Sequence, residues 1–199
     1  NINSTFGLGQ GGNVTVQGLL PGEGSAADSV ALSNGAIIQT LTFGPGKGGD
    51  VQLTAGTVTM ESVASIVTAT VGGDGVGGDV VLNVGKLSLM GGSFIQSLSQ
   101  NFTPGLGHGG NVTIQGLPGA EFGAAESVGL SGDSSLLSQT FGLGEGGRVA
   151  ITSKTLTMEG AATTVNASAN DVGRGGDIVL GVQQASLSDG ATIVSHTDS

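Results

Sequence analysis

The chain reads as an all-β, right-handed parallel β-solenoid (β-helix) of about six coils. Three observations predict it: a diglycine that returns at a few fixed spacings, apolar residues that alternate after each return, and an unusual composition. Of 199 residues 40 are Gly, and Trp, Tyr and Cys are absent. Charged residues are 10% and aromatics 3%, yet 37% of the chain is hydrophobic and its mean hydropathy is +0.26. A disordered Gly-rich linker lacks that apolar content. Collagen needs Gly at every third position and much Pro, whereas Pro numbers only 4 here.

The diglycine falls at 11–12, 48–49, 77–78, 109–110, 146–147 and 175–176, so its successive spacings are 37, 29, 32, 37 and 29 residues. The series 37 + 29 + 32 closes at 98 and begins again. Gly11–Asn101 laid over Gly109–Ser199 without gaps gives 42 identities in 91 pairs. Residues 1–199 therefore read as one solenoid segment made of two tandem 98-residue units of three coils each, about 11–108 and 109–199. Each coil is then roughly 29–37 residues long.

Each coil predicts three short strands, because its apolar residues keep the period of two that buries one strand face. The first strand carries Val14/Val16, Val51/Leu53, Val80/Leu82, Val112/Ile114, Val149/Ile151 and Ile178/Leu180. The second carries Val30/Leu32, Val58/Met60, Leu87/Leu89, Val128/Leu130, Leu156/Met158 and Ala185/Leu187. The third is anchored at Ile38, Ile66, Ile95, Leu136, Val165 and Ile193, with a one-residue slip before Val165. One coil cannot bury such residues alone, whereas stacked coils give every inward column an apolar neighbour. The Gly-rich stretches become the corners, where positive φ and close backbone stacking favour Gly. Crossovers between parallel strands set the right-handed sense.

The run GxGxGG(D/N)VxL, followed by TLTM or ALSNGAIIQT, recurs as GPGKGGDVQL, GDGVGGDVVL, GLGHGGNVTI and GLGEGGRVAI. These runs resemble the repeats of filamentous-haemagglutinin-like proteins, large bacterial surface adhesins and exoproteins of two-partner secretion. The resemblance covers the whole chain but only the shaft repeats; the family's N-terminal Asn-Pro-Asn-Gly-type motif is not found. It implies an extracellular or cell-surface location and a right-handed β-helix shaft. Further copies of the repeat would be its partners, as a continuing chain or a head-to-tail filament.

Candidate sites follow from columns and insertions. The residue after each diglycine is Asn13, Asp50, Asp79, Asn111, Arg148 or Asp177. Asx side chains here cap backbone donors. The alternative is a calcium (Ca2+) site using Asp74 and Asp79 of GGDGVGGDV, but the register departs from the calcium nonapeptide, which puts a residue between Gly and Asp. Ser33, Thr59, Ser88, Ser131, Thr157 and Ser188 suggest an outward hydroxyl row, the pattern of an ice-binding face. Phe6, Phe43 and Phe141 precede Gly-rich corners and suggest aromatic stacking between coils.

Two corners, LLPGEGSAADS at 19–29 and LPGAEFGAAES at 117–127, each add nine residues at the same place in the unit. Insertions on a solenoid map to one face and often mark the contact face. Glu23, Asp28, Glu121, Phe122 and Glu126 are accordingly the candidate partner-contact residues, for host or surface glycans or for lateral contact.

No catalytic set is apparent. A polysaccharide-active β-helix needs clustered carboxylates or bases and aromatic platforms, whereas the five Lys and Arg residues here are scattered. A net charge of −10 opposes nucleic acid. No apolar run reaches the ~18 residues of a membrane span. The expectation is a non-catalytic, cofactor-free structural segment of an extracellular bacterial fibre or adhesin shaft. Its alternatives are a direct ligand-binding solenoid, an ice-binding rod and a polysaccharide-active β-helix.

Overall fold

The structure, a computed structural model, describes residues 2–6, 9–19, 25–100, 107–170 and 172–197. It is a parallel β-solenoid of about six turns. β1 (Ile2–Phe6) precedes the first diglycine. Coil 1 holds β2 (Val14–Val16), β3 (Ala27–Leu32) and β4 (Ile37–Phe43), and coil 2 holds β5 (Val51–Met60) and β6 (Ser65–Val71). Coil 3 holds β7 (Val80–Leu89) and β8 (Phe94–Gln100). Coil 4 holds β9 (Val112–Gln115), β10 (Ala125–Ser131) and β11 (Ser135–Phe141). Coil 5 holds β12 (Val149–Glu159) and β13 (Thr164–Ala169), and coil 6 holds β14 (Ile178–Ser188) and β15 (Thr192–Val194). The helical content of the described residues is one 3-10 turn, Glu121–Gly123, and no helix there is long and apolar enough to cross a membrane.

Two hydrogen-bonded sheets form, rather than three. One has seven strands in the order β1-β4-β6-β8-β11-β13-β15; the other has eight and contains the remaining strands. The first and second strands expected in each coil run together as one in β5, β7, β12 and β14, and are separate only where a nine-residue corner intervenes. The three apolar faces survive because the alternation turns over within the long strand. In β5 the buried apolar side chains are Val51, Leu53 and Ala55, then Val58 and Met60. The odd step from 55 to 58 makes a bend at Gly56, which the pairing register skips. β7 repeats the pattern with Val80, Leu82 and Val84, then Leu87 and Leu89.

Every apolar column holds its register from coil to coil. Val14, Val51, Val80, Val112, Val149 and Ile178 pair in succession. So do Val30, Val58, Leu87, Val128, Leu156 and Ala185. Ile38, Ile66, Ile95, Leu136, Val165 and Ile193 form the third column, in which Val165 is fully buried. The slip before Val165 lies in the turn between β12 and β13, so the inward face is unchanged. These columns meet along the axis in one continuous core.

The third strand also buries hydroxyls that follow the apolar anchor at the same period. Thr40, Thr68, Ser97 and Ser138 stand in one column, and Thr42, Thr70, Ser99 and Thr140 in the next. All are fully buried. Such hydroxyls are costly without a partner, and the corners supply one. Thr40 Oγ1 donates to the Gly49 carbonyl at 2.5 Å, Thr68 and Ser97 to that of Gly78 at 2.6 and 2.7 Å, and Ser138 to that of Gly110 at 2.8 Å. Thr70, Ser99 and Thr140 reach corner carbonyls of Val76, Gly75 and Gly107 at 2.8 Å each.

Close approach, and not positive φ, explains the diglycines. None of them has positive φ. A methyl group on Gly49, Gly78, Gly110, Gly147 or Gly176 would overlap the carbonyl of the second Gly in the preceding coil. The left-handed residues lie elsewhere, above all in the turn between the two sheets. There Asn34/Gly35, Ser62/Val63, Gly91/Gly92, Gly132/Asp133 and Asp189/Gly190 form successive left-handed pairs. Val63 is the misfit: it is β-branched, 61% exposed, and held at φ 64°.

Two substitutions separate these constraints. Gly78→Ala is expected to destabilise by at least about 2–3 kcal/mol, because the stacked backbone cannot part for a methyl group. Val63→Gly is expected to stabilise by roughly 0.5–1 kcal/mol, through relief of left-handed strain. Urea unfolding of both variants checks this; a tolerated Gly78→Ala would refute the close-packing account.

Candidate functional site

The two inserted corners occupy equivalent places in coils 1 and 4. Val16 pairs with Leu53 and Ala27 with Ala55, so residues 17–26 stand where coil 2 has Thr54 alone. Ile114 pairs with Ile151 and Ala125 with Ser153, so residues 115–124 replace Thr152 in the same way. Each corner is drawn in at its base: Gly18 N–H donates to Ser25 O, and Gly116 N–H to Gly123 O, both at 2.8 Å. Ser25 Oγ returns a bond to Gly18 O at 2.9 Å. A Cβ at Gly18 or Gly116 would overlap the carbonyl of Ala26 or Ala124.

In the second corner the 3-10 turn Glu121–Gly123 turns outward, with Phe122 at φ 57° and 79% exposed. Its acids reach lysines of the two flanking coils. Glu126 lies 3.5 Å from Lys86 of coil 3, and Glu121 3.5 Å from Lys154 of coil 5. These pairs are exposed and contribute little energy, yet they direct the loop across three coils. Asp28 is exposed at the position in coil 1 that Glu126 takes in coil 4. Glu23 lies outside the described residues. The structure thus brings Glu121, Phe122 and Glu126 together in one corner, while Asp28 belongs to the other, three coils or roughly 14 Å along the axis.

The Asx column forms a ladder of side-chain caps. Asn13 Oδ1 accepts the Asp50 N–H at 2.8 Å, Asp50 Oδ1 the Asp79 N–H at 2.8 Å, and Asp79 Oδ1 the Asn111 N–H at 2.8 Å. Asn111 Oδ1 then accepts the Arg148 N–H at 3.0 Å. In the opposite sense each of these residues' carbonyls, from Asp50 onward, accepts the N–H of the residue after the capping one, as in Val51 to Asp79 O at 2.9 Å. Lys47 sits on the ladder's edge, with Nζ 3.1 Å from Asp50 and 3.6 Å from Asp79. Partial burial works against its charge, but the hydrogen bond to Asp50 and the fields of both carboxylates outweigh it and hold the ammonium above the ordinary lysine range.

Asp79 is therefore engaged as a cap and in an ion pair, and Asp74 lies exposed in the corner before it. Among the described residues no three His, Asp or Glu side chains group as a metal site would require. At Arg148 the ladder stops, since an arginine offers no acceptor to Asp177 N–H. Arg148, Arg174, Glu145 and Asp177 line a shallow polar groove there. His108 Nδ1 accepts the Glu145 N–H at 3.1 Å beside it.

One expectation from sequence fails on register and another holds only in part. Ser33, Thr59, Ser88, Ser131, Thr157 and Ser188 do not form one row. Thr59, Ser88, Thr157 and Ser186 share a column with Ala31 and Gly129, and Ser131 aligns instead with Glu159 and Ser188. Of the three phenylalanines, Phe6 and Phe43 are register partners on adjacent strands, whereas Phe141 is set apart from them because Val71 and Gln100 stand between in the column. The buried hydroxyl columns are the feature that sequence reading missed. Their signal was the continued alternation Ile-x-Thr-x-Thr at 38–42 and 66–70.

Restoring an acceptor at the ladder's end tests the capping role. Arg148→Asn is expected to stabilise coil 6 by about 1 kcal/mol, read as slower amide hydrogen exchange at Asp177. Unchanged exchange there would show that the side-chain caps are incidental.

No family model, curated protein or solved structure matches the chain.

Proposed function

We propose that the chain is a non-catalytic structural segment of an extracellular bacterial fibre or adhesin shaft. Its role is to hold binding elements away from the cell surface or to form a matrix filament, through attachment or cell–cell contact. The observation that carries this reading is the junction between the two 98-residue units. β7 pairs with β9 and β8 with β11 in the registers used inside a unit. Asp79 caps Asn111 across the same boundary at 2.8 Å. A unit can therefore follow a unit with no linker and no change of core, which is what a shaft of indefinite length requires. The resemblance of the GxGxGG(D/N)VxL runs to filamentous-haemagglutinin-like shaft repeats supports the same reading, and with it a surface location and further copies of the repeat as partners.

A second reading, direct recognition of glycans or surfaces, is favoured by Phe122 alone. An exposed aromatic ring in a left-handed conformation, on a loop tied to two neighbouring coils, is a feature of contact more than of packing.

Small-angle X-ray scattering tests the first reading. Doubling the units from two to four is expected to double the rod from roughly 29 Å to roughly 58 Å, at ~4.8 Å per coil. Flexibly joined short bodies would overturn it. Removal of residues 117–124 tests the second: glycan or surface binding lost from a rod of unchanged circular dichroism would favour direct recognition over a purely structural role.

A further inference from the structure

Among the described residues, the charges of this protein are confined to part of its circumference. The seven strands of the β1-to-β15 sheet contain no Asp, Glu, Lys or Arg at all. The other sheet carries Asp28, Lys86, Glu126, Lys154 and Glu159, and the remaining charges among the described residues lie in corners and turns. On a chain of net charge −10 this leaves one broad face without any formal charge.

Over coils 1–4 that face is mostly apolar, with Gln39, Gln96, Gln100 and Gln139 interspersed. Its outward side chains include Leu41, Val67, Leu98 and Leu137, each half-buried by its neighbours, and the more exposed Ile37 and Phe141. Gln96 Nε2 donates to Gln139 Oε1 at 2.9 Å between them. In coil 5 the same columns present Asn166 and Asn170, polar but still uncharged, with Ser168 fully buried between them.

We infer that this sheet face is a lateral docking surface for a second copy of the same chain. Three arguments choose that occupant. Electrostatic repulsion between two acidic rods is smallest where neither carries charge, so this is the face on which like can approach like. Rows of side chains repeating at the coil rise of ~4.8 Å mesh along their whole length only with rows of equal spacing, and a second copy supplies them. The face spans six coils and about seven residues of strand, roughly 600 Å² by these dimensions. A pair would then bury about 1,200 Å² in total, at the lower edge of stable interfaces. A two-fold axis along the rods keeps each coil opposite its equal, so the mostly apolar coils 1–4 meet one another and the polar coils do likewise. Pairing of this kind lengthens with every added unit.

Sedimentation equilibrium of the protein in a chelator tests the inference. A dimer is expected, strengthened by salt as the repulsion is screened. Leu98→Glu with Leu137→Glu is expected to weaken it at least about a hundredfold, because four carboxylates would enter an apolar contact. Both positions face outward, and circular dichroism checks that the fold is kept. As a measurement independent of those variants, the Cys-free chain allows single thiols. Gln96→Cys and Asn166→Cys should each cross-link to themselves under oxidation, and Thr157→Cys, on the opposite sheet, should not. A monomer at the highest soluble concentration, a dimer dissolved by chelator, or equal cross-linking at Thr157→Cys would overturn the proposal. The inference does not rest on the shaft reading: a monomeric rod of additive length leaves the shaft standing, and paired rods that fail to extend leave the docking face standing.

Discussion

The stacking distance between coils governs this molecule, and the diglycine is where it is enforced. Parallel strands hydrogen-bond at about 4.8 Å, and the chain must return to that spacing at every corner as well as in every strand. At Gly49, Gly78, Gly110, Gly147 and Gly176 the backbone of one coil lies directly on the carbonyl of the coil before, with no volume for a Cβ. Once that contact is fixed, each residue position becomes a column, and a column has one environment. Apolar columns then bury completely in the inner coils, as at Val51, Val80, Val112 and Val149.

The same contact accounts for a polar interior in a chain of high mean hydropathy. Corners built from bare backbone bring carbonyl groups into the rod, where water does not reach them. Buried Thr and Ser of the third strand donate to those oxygens at 2.5–2.8 Å, so hydroxyl and carbonyl satisfy each other's hydrogen-bonding needs. Outside, the Asx ladder does the converse, with side-chain oxygens accepting the backbone donors of the next coil. Both sets of bonds run between segments brought together by the winding of the chain. They reward the stacked arrangement and nothing shorter, which makes the rod a cooperative object rather than a row of separate coils.

Function on such a scaffold is a matter of which columns face outward and what interrupts them. The corners of coils 1 and 4 repeat every third coil and place Phe122 in solvent, beside acids already tied to Lys86 and Lys154. Among the described residues the β2-to-β14 sheet, the turns and the corners carry the charge, and the strands of the β4-to-β15 sheet carry none. A rod with one uncharged side and one decorated side has a built-in orientation. A shaft needs such an orientation if it is to associate laterally while presenting its corners outward.

The number of coils, the 98-residue unit and the inward apolar columns were legible in the sequence. All three depend on residue identity at fixed spacings, and a solenoid turns spacing directly into position. The position of the nine-residue corners was legible for the same reason. What the tertiary structure decided is everything that depends on register between coils of unequal length. The six outward hydroxyls looked like a row when counted along each coil, yet Ala31 and Gly129 interrupt the column that forms. Two of the three predicted strands merged, because the bend at Gly56 turns the side chains over without breaking the ladder. The pairing of Thr68 with Gly78 O and of Asp79 with Asn111 N–H could not be read locally either. Their partners lie 10 and 32 residues apart in the chain, and only the closed coil makes them neighbours.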